Sequence, residues 1–98
     1  MTNAIQISKI VQGDGGRYVA RLDGVHGEAE LNFSVLASDV VSADHAFAPH
    51  HLRGTGVSSA LVGHMVADAR AGGFRVRPLC SYVRAQFRAH PEWADVLA

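Results

Sequence analysis

The sequence has one cysteine, no excess of either charge and no long apolar run, and each of these shortages excludes a class of protein. Because Cys80 is alone, no internal disulfide can form, which excludes a disulfide-rich scaffold. The formal net charge is +0 with neutral histidines, which argues against a general binder of nucleic acids or membrane surfaces. No segment approaches the length of a membrane span. The start, Met1-Thr2-Asn3, lacks the basic region and apolar run of a signal peptide, so we expect a cytoplasmic protein with no nucleic-acid or membrane partner.

The length and the apolar content predict a compact protein. The chain has 98 residues, of which 48% are hydrophobic, so we expect one domain over residues 1–98 with a thin core. Charge is divided unevenly between its halves. Residues 1–49 carry three basic and six acidic side chains, whereas residues 50–98 carry six basic and three acidic ones. Either this distribution is due to chance or an anionic ligand binds to the second half.

Alternating apolar and polar residues predict four strands in the first half. The inward-facing residues of the first three strands are Ile5, Ile7 and Val11, then Tyr18, Ala20 and Leu22, and then Ala29, Leu31, Phe33 and Val35. A fourth strand begins at Val40 and runs to about Phe47. Pro49 ends it, because proline cannot donate to a strand ladder. Four consecutive strands with short turns predict an antiparallel meander.

After Pro49 the apolar spacing changes from two to three and four residues, which predicts a helix with one apolar face. The residues of that face are Val57, Leu61, Val62, Met65, Val66 and Ala69. Gly72-Gly73 ends the helix, and residues 74–79 predict a short strand. Ser81 is expected to cap a second helix that ends at Pro91, followed by a tail (Trp93, Val96 and Leu97) that packs back on the domain. The order β-β-β-β-α-β-α predicts an α+β fold.

The segment Arg53-Gly54-Thr55-Gly56-Val57-Ser58-Ser59 joins a strand to a helix and predicts a phosphate-binding turn. Glycine lets the backbone turn tightly and leaves its amides uncovered, so successive N–H groups can converge on one anion. The first helical turn adds unpaired N–H groups and the positive end of a dipole. The segment is not a Walker A loop, because no Gly-Lys-Ser/Thr sequence follows its glycines. It is not a Rossmann fingerprint either, because no βαβ unit precedes it. A plain helix start with flexible glycines is the alternative.

This segment resembles the coenzyme A pyrophosphate motif of the GCN5-related N-acetyltransferase (GNAT) superfamily, Gln/Arg-x-x-Gly-x-Gly/Ala. Gly54 and Gly56 occupy the glycine positions, whereas His51 stands at the first position and departs from the pattern. A second block, residues 78–83 with residues 90–93, resembles the small single-domain acetyltransferase-like proteins typified by the YjdJ-like family. Asp44-His45 ahead of the turn fits the same group. The resemblance covers roughly residues 17–95.

The resemblance implies a minimal GNAT fold that binds acetyl-CoA, or another acyl-CoA, and transfers the acyl group to an amine. The pantetheine arm would lie between the strand ending near Phe47 and the strand ending near Leu79, with the adenine end beyond the glycine turn. Backbone groups around residues 46–48 would pair with the pantetheine amides. The cofactor-binding residues expected from this arrangement are Phe47, Ala48, Arg53, Gly54, Thr55, Gly56, Val57, Ser58, Ser59 and Tyr82.

Cys80 is the first candidate catalytic residue. It follows a strand and begins a helix, a position that favours a thiolate and a place in a cleft. A small buried side chain is the ordinary alternative for a lone cysteine. The YjdJ-like group carries cysteine at the matching position, which favours a functional role. Cys80 is then an acyl-accepting nucleophile, a proton donor to the departing coenzyme A thiolate, or a lining group of the thioester pocket.

His45 is the second candidate, as the base, because histidine exchanges protons near neutral pH and the family pattern also has histidine there. Packing on a strand face is the alternative. A backbone N–H near Phe47 would polarise the thioester carbonyl. Tyr82 is a second candidate proton donor, with a core position as its alternative. No metal site is predicted, since neighbouring His50 and His51 point apart and no cysteine or carboxylate cluster accompanies them.

Three functions fit this sequence. The first is an N-acetyltransferase that forms a ternary complex in which an amine attacks the thioester directly. The second is a non-catalytic coenzyme A binding or sensing module, and the third is an acyl carrier through Cys80. Because 98 residues leave little chain for an acceptor pocket, we expect an exposed amine on a protein or a polyamine as acceptor, or a homodimer that completes the site.

Overall fold

Alternating apolar and polar side chains form strands in the first half of the chain, as expected. The computed structural model describes residues 4–98. Met1–Asn3, on which the signal-peptide expectation rested, lie outside the described residues. The elements are β1 (Ile5–Gln12), β2 (Gly15–Leu22), β3 (Ala29–Ala37), β4 (Val40–Phe47), α1 (Val57–Gly72), β5 (Arg75–Pro78) and α2 (Ser81–Ala89). Two 3₁₀ helices, His50–Leu52 and Pro91–Val96, were not predicted. The α+β class and the order of a minimal GNAT-like fold are confirmed.

The five strands form one mixed sheet in chain order. β1 to β4 are antiparallel neighbours, which confirms the predicted meander. β5 pairs in parallel with β4, because α1 carries the chain back along the sheet before β5 begins. No helix of residues 4–98 combines the length and the apolar character needed to cross a membrane.

Both helices pack on one face of the sheet, where their apolar residues meet every second residue of the strands. The buried residues of this core include Tyr18, Ala20, Leu31, Phe33, Val41, Ala43 and Val76 from the strands and Val57, Leu61, Val62, Met65, Val66, Ala69, Val83 and Phe87 from the helices. The opposite face carries Arg17, Asn32 and His45 at paired positions. Within residues 4–98 no helix packs on it, and we call it the uncovered face.

Two apolar residues that were expected to point inward lie at the surface. Val11 is 64% exposed because it lies opposite Gly16, which offers no side chain to pack against. Val35 is 44% exposed and stands at a register shift where the pairing of β3 with β4 becomes irregular. The alternating pattern therefore predicts the strands correctly but not how far the core extends along them.

The end of the chain differs from the prediction in two details. Cys80 rather than Ser81 is the N-cap of α2; it has an extended backbone and makes no side-chain cap bond. In the C-terminal tail, Val96 is buried and Trp93 packs edge-on against Phe87, as expected. Leu97 is 40% exposed, because an isolated bridge to β5 leaves its side chain at the surface.

A polar network that the apolar pattern did not predict links the sheet to α1. The hydroxyl of the fully buried Tyr18 donates to Asp68 Oδ2 over 2.6 Å, and Lys9 Nζ donates to the same oxygen over 2.7 Å. Burial would raise the pKa of Asp68, but the hydrogen bonds from Lys9 and Tyr18 outweigh it and lower that pKa. Burial, followed by the bond to Asp68, raises the pKa of Tyr18. The ionised Asp68 carboxylate of α1 thus forms hydrogen bonds with both β1 and β2.

Asp68→Asn is expected to lower the free energy of unfolding by about 1 kcal/mol near pH 7, the size of a hydrogen bond to a partly exposed charge. Because the folded pKa of Asp68 is lowered, its contribution is present above the unfolded pKa of about 4 and is lost as the pH falls through the folded value. Urea unfolding between pH 7 and pH 3 measures the difference, with Glu28→Gln at the exposed pair with Arg21 as control. A deficit that grows as the pH falls would contradict this assignment.

Candidate functional site

The parallel pairing of β4 with β5 stops halfway along β4 and leaves a gap. The last pair is Ala43 with Pro78, and the amides of Leu79 and Cys80 both donate to the Ala43 carbonyl, over 3.0 and 3.1 Å. β4 continues to Phe47 with β3 on one side only. The other edge of residues 44–47 has no strand partner within residues 4–98, so its N–H and C=O groups can bind a ligand. We call this opening the β4–β5 gap.

The glycine turn, residues 53–59, begins α1. Gly56 is the N-cap of α1 with φ 91°, and Gly54 has φ 80°, both in the left-handed region that favours glycine. Apart from the adjacent residues of the chain, a Cβ at either position would meet no atom of residues 4–98 within 4 Å, so the space above both is open. Within residues 4–98, no side chain forms a capping hydrogen bond at the N-terminus of α1. The first N–H groups of the helix therefore face the open space with the positive end of the dipole.

Hydrogen bonds within the turn hold its shape. The amide and the hydroxyl of Thr55 both donate to the Leu52 carbonyl, over 3.3 and 2.5 Å. Arg53 Nε donates to the Ala48 carbonyl over 3.3 Å, which ties the turn to the end of β4. Leu52 is fully buried beneath. The Thr55 hydroxyl is thus engaged inside the turn.

A cavity of about 690 Å³ joins the glycine turn to the β4–β5 gap. A volume of this size suits a small-molecule ligand. Its lining residues are His45, Ala46, Phe47, Ala48, Leu52, Arg53, Gly54, Gly56, Val57, Ser58, Ser59 and Tyr82. The structure therefore brings together all of the predicted site residues except Thr55 and Cys80. Leu52 is an addition; its only signal in the sequence is an apolar residue directly before Arg53.

Cys80 and Tyr82 lie at the start of α2, and only Tyr82 lines the cavity. Cys80 is half-buried and packs against the core. Burial, and secondarily the neighbouring Cys80, raises the pKa of Tyr82. The phenol therefore stays protonated at neutral pH and can donate a proton inside the cavity.

A β-bulge near the end of β4 turns two consecutive side chains to one side. Asn32 pairs with His45 and Phe33 pairs with Ala43, so Asp44 is an extra residue in β4. Asp44 and His45 then oppose Asn32 together, on the uncovered face. The exposed His45 also lines the cavity, so one lining side chain of the cavity belongs to this face.

The other histidines of the described chain lie outside the cavity lining. A ring nitrogen of His51 lies 2.7 Å from the His26 carbonyl, which links the loop before β3 to the 3₁₀ helix before the turn. His90 stacks on Trp93 with ring centroids 4.0 Å apart. Within residues 4–98 no group of three or more His, Cys, Asp or Glu side chains is arranged to hold a metal ion.

The basic character of the second half reaches the cavity through one residue. Of its arginines, Arg53 alone is among the described lining residues. Arg70 forms a two-pronged ion pair with Asp95, over 2.9 and 3.0 Å, and Arg84 donates to the Leu79 carbonyl over 2.6 Å. The excess of positive charge in this half is therefore distributed over the surface rather than concentrated at the glycine turn.

Comparison with known families agrees with this fold and cavity. Residues 17–96 match the family described as GCN5-related N-acetyl-transferase. The match spans well over half of the chain, so the protein belongs to this family, and the predicted resemblance to the superfamily is confirmed. Acetyl transfer is the general activity that the family defines. A comparison with curated proteins gives no match.

Proposed function

We propose that the protein is an N-acetyltransferase that binds acetyl-CoA and transfers the acetyl group to an amine. The cavity that joins the glycine turn to the β4–β5 gap carries this proposal. One end of it offers helix-start amides, and the other offers a strand edge, and neither has a partner in the part of the chain that the structure describes. A ligand with a pyrophosphate and an amide-bearing arm matches both ends. Family membership supports acetyl transfer in general.

The residues of the turn suit a pyrophosphate. The free amides of the first turn of α1 favour an anion, and the Arg53 guanidinium adds a charged donor beside them. Ser58 and Ser59 line the same end of the cavity and add hydroxyl donors. The pantetheine arm would then lie along residues 46–48, where its amides complete the hydrogen bonding of the strand edge.

His45 and Tyr82 line the same cavity. In the proposed reaction each takes part in one of the two proton transfers. His45 accepts the proton that the amine loses as its nitrogen bonds to the acetyl carbon. Tyr82, whose pKa is raised by burial and by Cys80, donates its proton to the sulfur as the carbon–sulfur bond breaks. A backbone N–H near Phe47 polarises the thioester carbonyl.

Direct attack by the amine has more support than a relay through Cys80. Cys80 packs against the core and lies outside the cavity lining. We therefore assign the proton donation to Tyr82 and no chemical step to Cys80.

Calorimetry with acetyl-CoA, coenzyme A, dephospho-CoA and pantetheine tests the cofactor. We expect the first three to bind and pantetheine, which lacks the pyrophosphate, to bind far more weakly. Absence of binding by all three nucleotides would refute the proposal. Turnover of acetyl-CoA with a panel of amines then separates an enzyme from a sensing module, since a sensor binds the cofactor and acetylates no amine.

Tyr82→Phe is expected to lower kcat by about a hundredfold, the size of a general-acid contribution, while the KM for acetyl-CoA changes little. Cys80→Ala is the matched variant and is expected to keep kcat within about threefold, because Cys80 lies outside the cavity lining. Steady-state kinetics measures both. An acetyl adduct seen by mass spectrometry in the wild-type protein and lost in Cys80→Ala would instead support the carrier route.

A further inference from the structure

Asp44 is a half-buried carboxylate whose two oxygens are oriented by hydroxyl groups. Ser34 Oγ donates to Oδ2 over 2.5 Å, and Ser42 Oγ donates to Oδ1 over 2.6 Å. Ser42 is 1% exposed, so this donor is held in place by the sheet. Each carboxylate oxygen has two lone pairs, so both keep the capacity to accept a further hydrogen bond.

The β-bulge sets this carboxylate beside the cavity. Asp44 and His45 share one side of β4, opposite Asn32, on the uncovered face. His45 lines the cavity, and Asp44, which is not itself among the lining residues, directly precedes it in β4. A molecule that approaches His45 from the uncovered face therefore meets the Asp44 carboxylate as well.

The Asp44 carboxylate has no cationic partner in the described chain. The ion pairs within residues 4–98 involve other carboxylates, and among these residues no lysine, arginine or histidine side-chain nitrogen lies within 4 Å of the Asp44 carboxylate oxygens. Two arginines lie on the uncovered face of β2: Arg17 lies 3.7 Å from Glu30, and Arg21 pairs with Glu28 over 2.9 Å. Arg77 occupies the register position opposite Ser42. A partly buried charge without a counter-ion is stabilised by a cation from outside.

We propose that Asp44 recognises a second positive charge on the acceptor, so that the preferred acceptors are diamines and polyamines rather than monoamines. This rests on the proposed function, because it names the acceptor class for the same cavity. The acceptor nitrogen that reacts must lose a proton, whereas the second ammonium keeps its charge and donates hydrogen bonds to Asp44. Fixing one end of the acceptor in this way directs the other end toward His45 and raises its effective concentration there.

Calorimetry on the protein saturated with coenzyme A tests this inference. The probes are diamines from 1,3-diaminopropane to 1,6-diaminohexane, each compared with the monoamine of equal carbon number. We expect the best diamine to bind about tenfold more tightly than its monoamine, as for one hydrogen-bonded charge pair. We also expect the preference to depend on chain length, because two fixed groups select one separation.

Asp44→Asn is expected to abolish the preference for diamines and to keep the affinity for coenzyme A. Ser34→Ala retains the charge but loses one orienting hydroxyl, and we expect it to reduce the preference severalfold. Glu28→Gln removes a negative charge that is paired with Arg21, away from the cavity lining, and should leave the preference intact. Circular dichroism confirms that each variant is folded.

Equal affinities for diamines and monoamines in the wild-type protein would overturn the inference, and so would an equal loss of preference in Glu28→Gln. Either result, together with coenzyme A binding and turnover of a monoamine, would leave the proposed acetyltransferase function intact. Absence of coenzyme A binding would refute the proposed function, and the acceptor assignment would fall with it.

Discussion

Gly56→Val is expected to lower the affinity for coenzyme A about a hundredfold, which corresponds to about 2.7 kcal/mol. A side chain in the left-handed conformation that Gly56 adopts costs roughly 1–2 kcal/mol, so the backbone of the turn will shift. The added side chain also occupies the open space above the first N–H groups of α1, where the pyrophosphate is proposed to bind. Calorimetric titration with coenzyme A measures the loss.

Gly63 offers a matched control in the same helix. It lies inside α1, and a Cβ there would meet no atom of residues 4–98 within 4 Å apart from the neighbouring backbone of the helix itself. Gly63→Ala is expected to leave the affinity for coenzyme A unchanged and to raise the free energy of unfolding by about 0.5–1 kcal/mol, because alanine is the better helix former. Unchanged affinity in Gly56→Val, or an equal loss in both variants, would speak against a pyrophosphate site at the turn.

Leu52→Ala is expected to destabilise the protein by about 3 kcal/mol and to weaken coenzyme A binding. Leu52 is 0% exposed, so its truncation leaves a cavity in the core. The same residue lines the ligand cavity and supports Thr55 through its carbonyl. Relaxation around the lost side chain would therefore move the turn, and we expect about a fivefold loss of affinity, of the size of a lost positioning contact.

Leu61→Ala separates stability from the site. Leu61 is 1% exposed in α1 and lies outside the cavity lining, so we expect a comparable destabilisation of about 3 kcal/mol with unchanged affinity. Urea unfolding gives the stabilities, and titration at a temperature where both variants are folded gives the affinities. If both variants lost affinity to the same degree, the effect would be one of general stability, and Leu52 would have no particular role at the turn.

Local patterns predicted the elements because their causes are local. The alternation around Leu31 and the helical spacing from Val57 to Ala69 depend only on which residues must point inward. The end of α1 followed from Gly73, which adopts φ 73° as the left-handed C-cap. Most of the cavity was predictable for the same reason, since the glycine turn is one continuous segment.

Features that depend on register were not predictable from residue patterns. The bulge that turns Asp44 and His45 to one side arises because β4 has one more residue than β3 at this point of their pairing. No pattern in the neighbouring sequence indicates it. The network of Tyr18, Lys9 and Asp68 joins residues that are 50 and 59 positions apart. The exclusion of Cys80 from the cavity likewise depends on where α2 packs, although its place at the helix start was expected.

The interruption of pairing beside β4 has a consequence for the exchange of amide hydrogens with solvent. Within residues 4–98, residues 40–43 have strands on both sides, whereas residues 44–47 have β3 alone. Amide protons that point into the β4–β5 gap should therefore exchange orders of magnitude faster than those of the doubly paired half. An occupant that hydrogen-bonds to this edge would slow them selectively, so the C-terminal half of one strand would act as an internal reporter of occupancy.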